Sequence, residues 1–185
     1  MRTKGVSIVG VLRSLRALHG PDVHDTVVGA LPPELRDPVQ QNAILTGSWY
    51  PIAWYQGIHA TAQRVTGRGP DLARDLARRA TLDDFRGIYR LLTFVLSPEG
   101  LLRKAPSAWS RYYDAGRVEI LEARNDFAQV RFSGCDGFDA SLWEDTIGGC
   151  MGVLEACGAK EIQVELLAGG RDGDSTMEVT SRWRK

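Results

Sequence analysis

The chain has 185 residues, 43% hydrophobic and 25% charged, which is the composition of a globular protein with one sizeable core and excludes a disordered one. Its 23 basic side chains match its 23 acidic ones. A protein built to grip nucleic acid carries a basic excess, so that class is not expected. The local basic clusters at Arg74-Arg78-Arg79 and Arg182-Arg184-Lys185 read as a solvated helix face and a charged tail.

The run from Met1 to Leu12 is broken by Arg13 and Arg16, so it does not read as a secretory signal. No stretch approaches the roughly 20 apolar residues that span a bilayer. Cys135, Cys150 and Cys157 are an odd number, and the last two fall on one expected helix, about 10 Å apart, beyond the ~7 Å reach of a disulfide. Reduced thiols in a cytoplasmic setting are expected.

In chain order, Val6, Val9, Leu12, Leu15 and Leu18 recur at helical spacing, and Gly20-Pro21 is expected to stop that helix. A short helix follows from Val23 to Ala30, and a further turn from Pro33 to Gln41. Ser48 reads as a cap for a helix with Pro51 just inside it, carrying Ile52, Tyr55, Ile58, Ala62 and Val65 and ending at Gly67. Pro70-Asp71 opens another through Leu72 and Leu76. Thr81 to Asp84 reads as the cap of a longer one through Phe85, Ile88, Leu91, Leu92 and Val95. Ser97-Pro98-Glu99 starts a segment reaching about Lys104, and a turn-rich stretch holds Trp109, Tyr112 and Tyr113 before Gly116.

From Arg117 the period changes. Val118–Ala123 and Phe127–Phe132 alternate and are joined by Arg124-Asn125-Asp126, which reads as a hairpin. Asp139 or Ser141 caps a helix carrying Leu142, Trp143, Ile147, Met151 and Leu154. Gly148, Gly149 and Gly152 are poor helix formers, so this helix is expected to pack closely on a neighbour. Ile162–Leu167 and Met177–Trp183 are strands around a turn from Gly169 to Asp174. The expected fold is α+β: one domain over 1–185, mainly helical over 1–116, then a β-β-α-β-β antiparallel sheet with one packed helix over 117–185.

No zinc spacing is present, because His19, His24 and His59 form no His-x-x-x-His pair and no Cys-x-x-Cys occurs. No Gly-x-Ser-x-Gly elbow is present, and Gly67-Arg68-Gly69-Pro70-Asp71 lacks the Lys-Ser/Thr of a phosphate loop. No catalytic residue, metal ligand or cofactor is therefore expected. Trp49, Tyr50, Trp54, Tyr55, Trp109, Tyr112 and Tyr113 either fill the space between helices and sheet or line an apolar pocket or a dimer surface.

Three strings, Ser48-Trp49-Tyr50-Pro51, Ser97-Pro98-Glu99-Gly100-Leu101-Leu102 and Trp109 to Gly116, resemble a paralogous family of unknown function expanded in myxobacteria. The C-terminal third, from Gly149-Cys150-Met151-Gly152 through Ala159-Lys160-Glu161-Ile162 to Gly173-Asp174 and the last strand, resembles the 4-vinyl-reductase domain. That domain shares a ligand-binding fold with haem–nitric-oxide-binding sensors and a Golgi transport-particle subunit. The resemblance implies a bacterial ligand-binding or signalling domain rather than an enzyme. Zinc-holding members place cysteines on either side of a Gly-Asp turn, and aligning that turn on Gly173-Asp174 puts Gly169 and Met177 there instead. Haem sensors use an axial histidine and a Tyr-x-Ser-x-Arg string, and the complete string is not present.

Two functions remain open. The first is a non-catalytic sensor or regulatory module binding a small apolar ligand, or a protein partner, between the helical region and the sheet. Trp109, Tyr113, Trp143 and Met151 are the expected pocket lining. The second is a structural subunit that forms a homodimer through its helical part.

Overall fold

The computed structural model describes residues 1–86, 100, 103–124 and 126–184. A short strand β1 (Arg2–Lys4) leads into the long helix α1 (Gly5–Gly29) and then α2 (Pro33–Gln40). Strand β2 (Trp49–Pro51) precedes α3 (Ile52–Thr66) and α4 (Asp71–Arg86). Helix α5 (Ala105–Tyr112) hands over to the hairpin β3 (Arg117–Arg124) and β4 (Phe127–Ser133). Helix α6 (Ala140–Ala156) and the strands β5 (Lys160–Gly169) and β6 (Thr176–Arg184) complete the described chain. The α+β class expected from the residues holds, and every strand pair is antiparallel.

The larger sheet has the order β3-β4-β6-β5. Its two central strands bury Val130, Phe132, Met177, Val179 and Trp183, which join Leu142, Trp143 and Leu154 of α6 in one core. Asp139 caps α6 by accepting from the Leu142 amide at 2.9 Å. Asp172, from the turn between β5 and β6, accepts from the Ala140 amide at 2.7 Å and adds a second carboxylate to the same helix end.

Helix α6 lies along α4, and its glycines set the approach. A Cβ on Gly148 would meet the backbone of Arg74, with its Cα only 2.8 Å away. A Cβ on Gly152 would sit 2.8 Å from the carbonyl oxygen of Arg78 and 2.7 Å from Thr81 Cβ. Gly149 points elsewhere and has room, its nearest neighbour being Thr81 Oγ1 at 3.8 Å. Close packing compensates here for the weak helix propensity of glycine. Arg74 to Glu144 at 2.6 Å and Arg78 to Glu155 at 2.5 Å flank the contact, so two members of the basic cluster read as a solvated face bridge two helices.

Other expectations are corrected. Gly20 does leave the helical region (φ 86, ψ 168), but the chain re-enters a helix at once, because Pro21 lacks only an amide that a first helical turn leaves unpaired. Thr81 starts no new helix: α4 runs through it, and its side chain packs at the Gly152 face. Pro51 ends β2 and sits at the N-cap of α3, not inside the helix. The Ile88, Leu91, Leu92 and Val95 helix and the start of the Ser97 segment lie outside the described residues.

The ribbon of β1 and β2 was not expected from sequence. Thr3 pairs with Tyr50 and is fully buried, while Lys4 Nζ stands 4.0 Å above the Trp49 ring. Thr3 also bridges Tyr113, and Arg2 pairs with Asp114 at 2.7 Å. The N-terminus thus clamps the segment after α5, fixing the backbone of Tyr113.

Candidate ligand cavity

Between α4, α5, α6 and the inner face of β3 and β4 lies a cavity of about 400 Å³. Its walls are mostly apolar: Trp109, Val118, Val130, Phe132 and Val153 contribute, together with Gly149 and Cys150 of α6. The aromatic wall is continuous. Trp109 and Tyr113 have ring centroids 4.4 Å apart, and Trp109 reaches Phe132 at 5.5 Å. The Trp109 indole N–H donates to the Ala115 carbonyl at 3.0 Å, which fixes the ring. Gly116 next to it takes φ +79, and a Cβ there would press on Cys135 Sγ at 3.1 Å and on the Trp109 ring at 3.2 Å.

A buried polar cluster interrupts the apolar wall, and Asp84, Lys104 and Arg111 add charged side chains to the lining. Asp145 of α6 is 6% exposed, and its Oδ1 accepts from the Tyr55 hydroxyl at 2.7 Å. Tyr113 is also buried and borders the same cavity. His59, one turn after Tyr55 on α3, is buried with Nε2 3.4 Å from Asp145 Oδ1, and neither ring nitrogen has a hydrogen-bond partner among the described residues. Its ring meets Tyr55 edge-on at 4.7 Å. Burial, and then the Asp145 charge, holds both the Tyr55 and Tyr113 phenols well above their ordinary range.

Of the residues expected to line a pocket, Trp109 and Tyr113 line this cavity. Trp143 and Met151 do not. Trp143 is 1% exposed and packs against Phe138 at 4.8 Å, so it fills core. Met151 is half-buried against the core and outside the cavity wall. Tyr55, one of the aromatics expected to fill core or line a pocket, also borders the cavity, while Asp145 was not singled out from sequence. A carboxylate between Trp143 and Ile147 on an apolar helix, and a histidine one turn after a tyrosine, were the available signals.

Cys150 is partly accessible as a residue, and that accessible part is cavity wall rather than outer surface. Burial pushes its thiol up to about 12 from an ordinary 9.0. A raised folded value stabilises the fold below pH about 9, and that stability is lost as pH climbs through the folded value. Tyr55 and Tyr113 act in the same direction above their ordinary 10.0. The melting midpoint is therefore expected to fall steadily from pH 9 to pH 11, and Cys150→Ala to flatten the first part of that fall. Circular-dichroism melts across the range check it. An unchanged midpoint would contradict the burial of these groups.

No family model and no curated protein matches the chain. Solved structures do. An oxygen-binding H-NOX domain related to soluble guanylate cyclases, crystallised as its oxygen complex, superimposes with a TM-score of 0.71 at 17% identity, covering 98% of this chain and 95% of that one. The Fe(II) unliganded H-NOX protein from K. algicida gives 0.74 at 12% identity over 98% and 97% of the two chains. An H-NOX structure addressing the mechanism of activation gives 0.71 at 18% identity, covering 100% and 97%. The chain therefore has the fold of H-NOX domains, which agrees with the haem–nitric-oxide-binding side of the sequence resemblance.

Whether the residues present fit a haem is a separate matter, and among the described residues they do not. The chain has three histidines. His19 and His24 stand on α1 away from the cavity, and His59 faces Asp145 without reaching the cavity wall. The Cys150 thiol keeps its proton, and the phenols of Tyr55 and Tyr113 are held neutral, so none of the three is a ready anionic ligand for iron. Tyr113-Asp114-Ala115-Gly116-Arg117 keeps the ends of the Tyr-x-Ser-x-Arg string, with Ala115 in the place of the serine. Here Tyr113 is buried at the cavity wall, and Arg117 Nε donates to Ser133 Oγ at 3.1 Å. Among the described residues no group of three or more His, Cys, Asp or Glu side chains converges on a metal position.

Proposed function

We propose that the chain is a non-catalytic sensor or regulatory module that holds a small, largely apolar organic molecule in the cavity beside α6. The observation that carries the reading is the cavity itself. Its volume of about 400 Å³ falls within the ~300–1,000 Å³ of small-molecule sites. Its walls are aromatic and aliphatic, with one convergent polar cluster to orient a ligand. The solved structures that share the fold include proteins described by their oxygen complexes and haem redox behaviour, so the fold accommodates a buried ligand elsewhere. The resemblance to members that sense aromatic compounds points the same way.

Native mass spectrometry of the purified chain tests this. A retained organic molecule, at most one per chain and released on unfolding, is the expected result. Gly149→Leu places a side chain where the wall has room and is expected to abolish retention while the protein stays folded. If Gly149→Leu and the parent chain bind small apolar molecules equally well, the cavity is not the site.

A further inference from the structure

We infer that the molecule taken by the cavity carries a protonated amine on an aromatic or aliphatic body, and that Asp145 receives the amine. The inference rests on the cavity reading above and narrows it to a chemical class.

Asp145 is a buried carboxyl group, 6% exposed, that borders the cavity. The Tyr55 hydroxyl donates to its Oδ1 at 2.7 Å. Phenols supply dipoles and no charge. A carboxylate has about four acceptor positions, so one phenol leaves capacity for further donors. No Lys or Arg among the described residues pairs with it. Arg13 is committed to Asp84 at 2.9 Å, and Lys104 and Arg111 lie exposed at the cavity rim. His59 stands 3.4 Å away without a hydrogen bond.

The aromatic side of the site completes the pattern. The Trp109 and Tyr113 rings, 4.4 Å apart, border the same cavity as the carboxylate. Ring faces attract an organic ammonium through their quadrupole, most strongly where water is excluded. An ammonium head would supply the charge that the floor lacks. A neutral ligand would leave the anion uncompensated in an apolar wall, which is costly, and an anionic head would add like charge. If a protonated His59 supplied the counter-charge, amine and alcohol would bind alike.

Isothermal titration calorimetry of the full chain at neutral pH, with 2-phenylethylamine, 2-phenylethanol and 3-phenylpropionate as probes, decides this. The amine is expected to bind at least about tenfold more tightly than the alcohol, the worth of one hydrogen bond to a charged group, and the acid most weakly. Asp145→Asn is expected to bring the amine down to the affinity of the alcohol. The ranking on the unaltered chain stands whether or not Asp145→Asn folds. Equal binding of amine and alcohol, or tighter binding of the acid, overturns the amine assignment and leaves the cavity reading intact. Binding of none of the three overturns both.

Discussion

Gly148→Ala is expected to lower the melting midpoint by roughly 6–12 °C, about 3 kcal/mol for a chain of this size. The alanine methyl would lie 2.8 Å from the Arg74 Cα and closer still to its carbonyl group. Backbone cannot rotate aside as the end of a side chain does, so α4 and α6 must separate along their contact. Gly152→Ala is expected to destabilise as well, because the Arg78 carbonyl oxygen lies 2.8 Å from the new carbon. Gly149→Ala provides the opposite sign. Its Cβ enters open space, so helix propensity alone acts and raises stability by up to about 1 kcal/mol. Thermal melts of the three variants read the ordering directly. A raised midpoint for Gly148→Ala would contradict the close crossing of the two helices.

Trp143→Ala is expected to cost about 3–5 kcal/mol, the penalty for removing a large aromatic from a packed core. Trp143 is 1% exposed and sits edge-on to Phe138, with Leu142 and Leu154 in the same cluster. It does not border the cavity, so the affinity of a cavity ligand is expected to be unchanged at a temperature where the variant is folded. Chemical denaturation and calorimetry on the same variant separate the two effects. A small loss of stability with a large loss of affinity would place Trp143 in the binding wall instead.

The contrast between Trp143 and Trp109 shows what a sequence can carry. Both are aromatics at apolar positions of helices, and nothing in the local pattern says that one fills core while the other borders a cavity. That distinction depends on which elements meet, and it arises from contacts far apart along the chain. Strands were legible where side chains alternate between a buried and an open face, as in Phe127 to Ser133. On the edge strand β5 the alternation is blurred by a bulge between Leu166 and Ala168, which leaves Leu166 and Leu167 both exposed. The glycines of α6 signalled close packing because their low helix propensity needs compensation, though the sequence could not name α4 as the partner. The β1–β2 ribbon was invisible for the opposite reason: three-residue strands are too short to show a period, and their pairing partners are 47 residues apart at Thr3 and Tyr50. Asp145 was passed over because a single carboxylate on an apolar helix has no local signature. Only the meeting of α3 and α6 turns it into the acceptor of the Tyr55 hydroxyl.

On the proposal made above, this H-NOX-like fold holds an organic molecule in its cavity and not a haem iron. Titrating haemin into the purified chain, and following the Soret band, tests that claim most directly. No saturable one-to-one change in the band is expected, and Gly149→Leu is expected to give the same trace as the parent chain, since any association would be with the outer surface. A sharp Soret shift that saturates at one haemin per chain, and disappears in Gly149→Leu, would contradict the account.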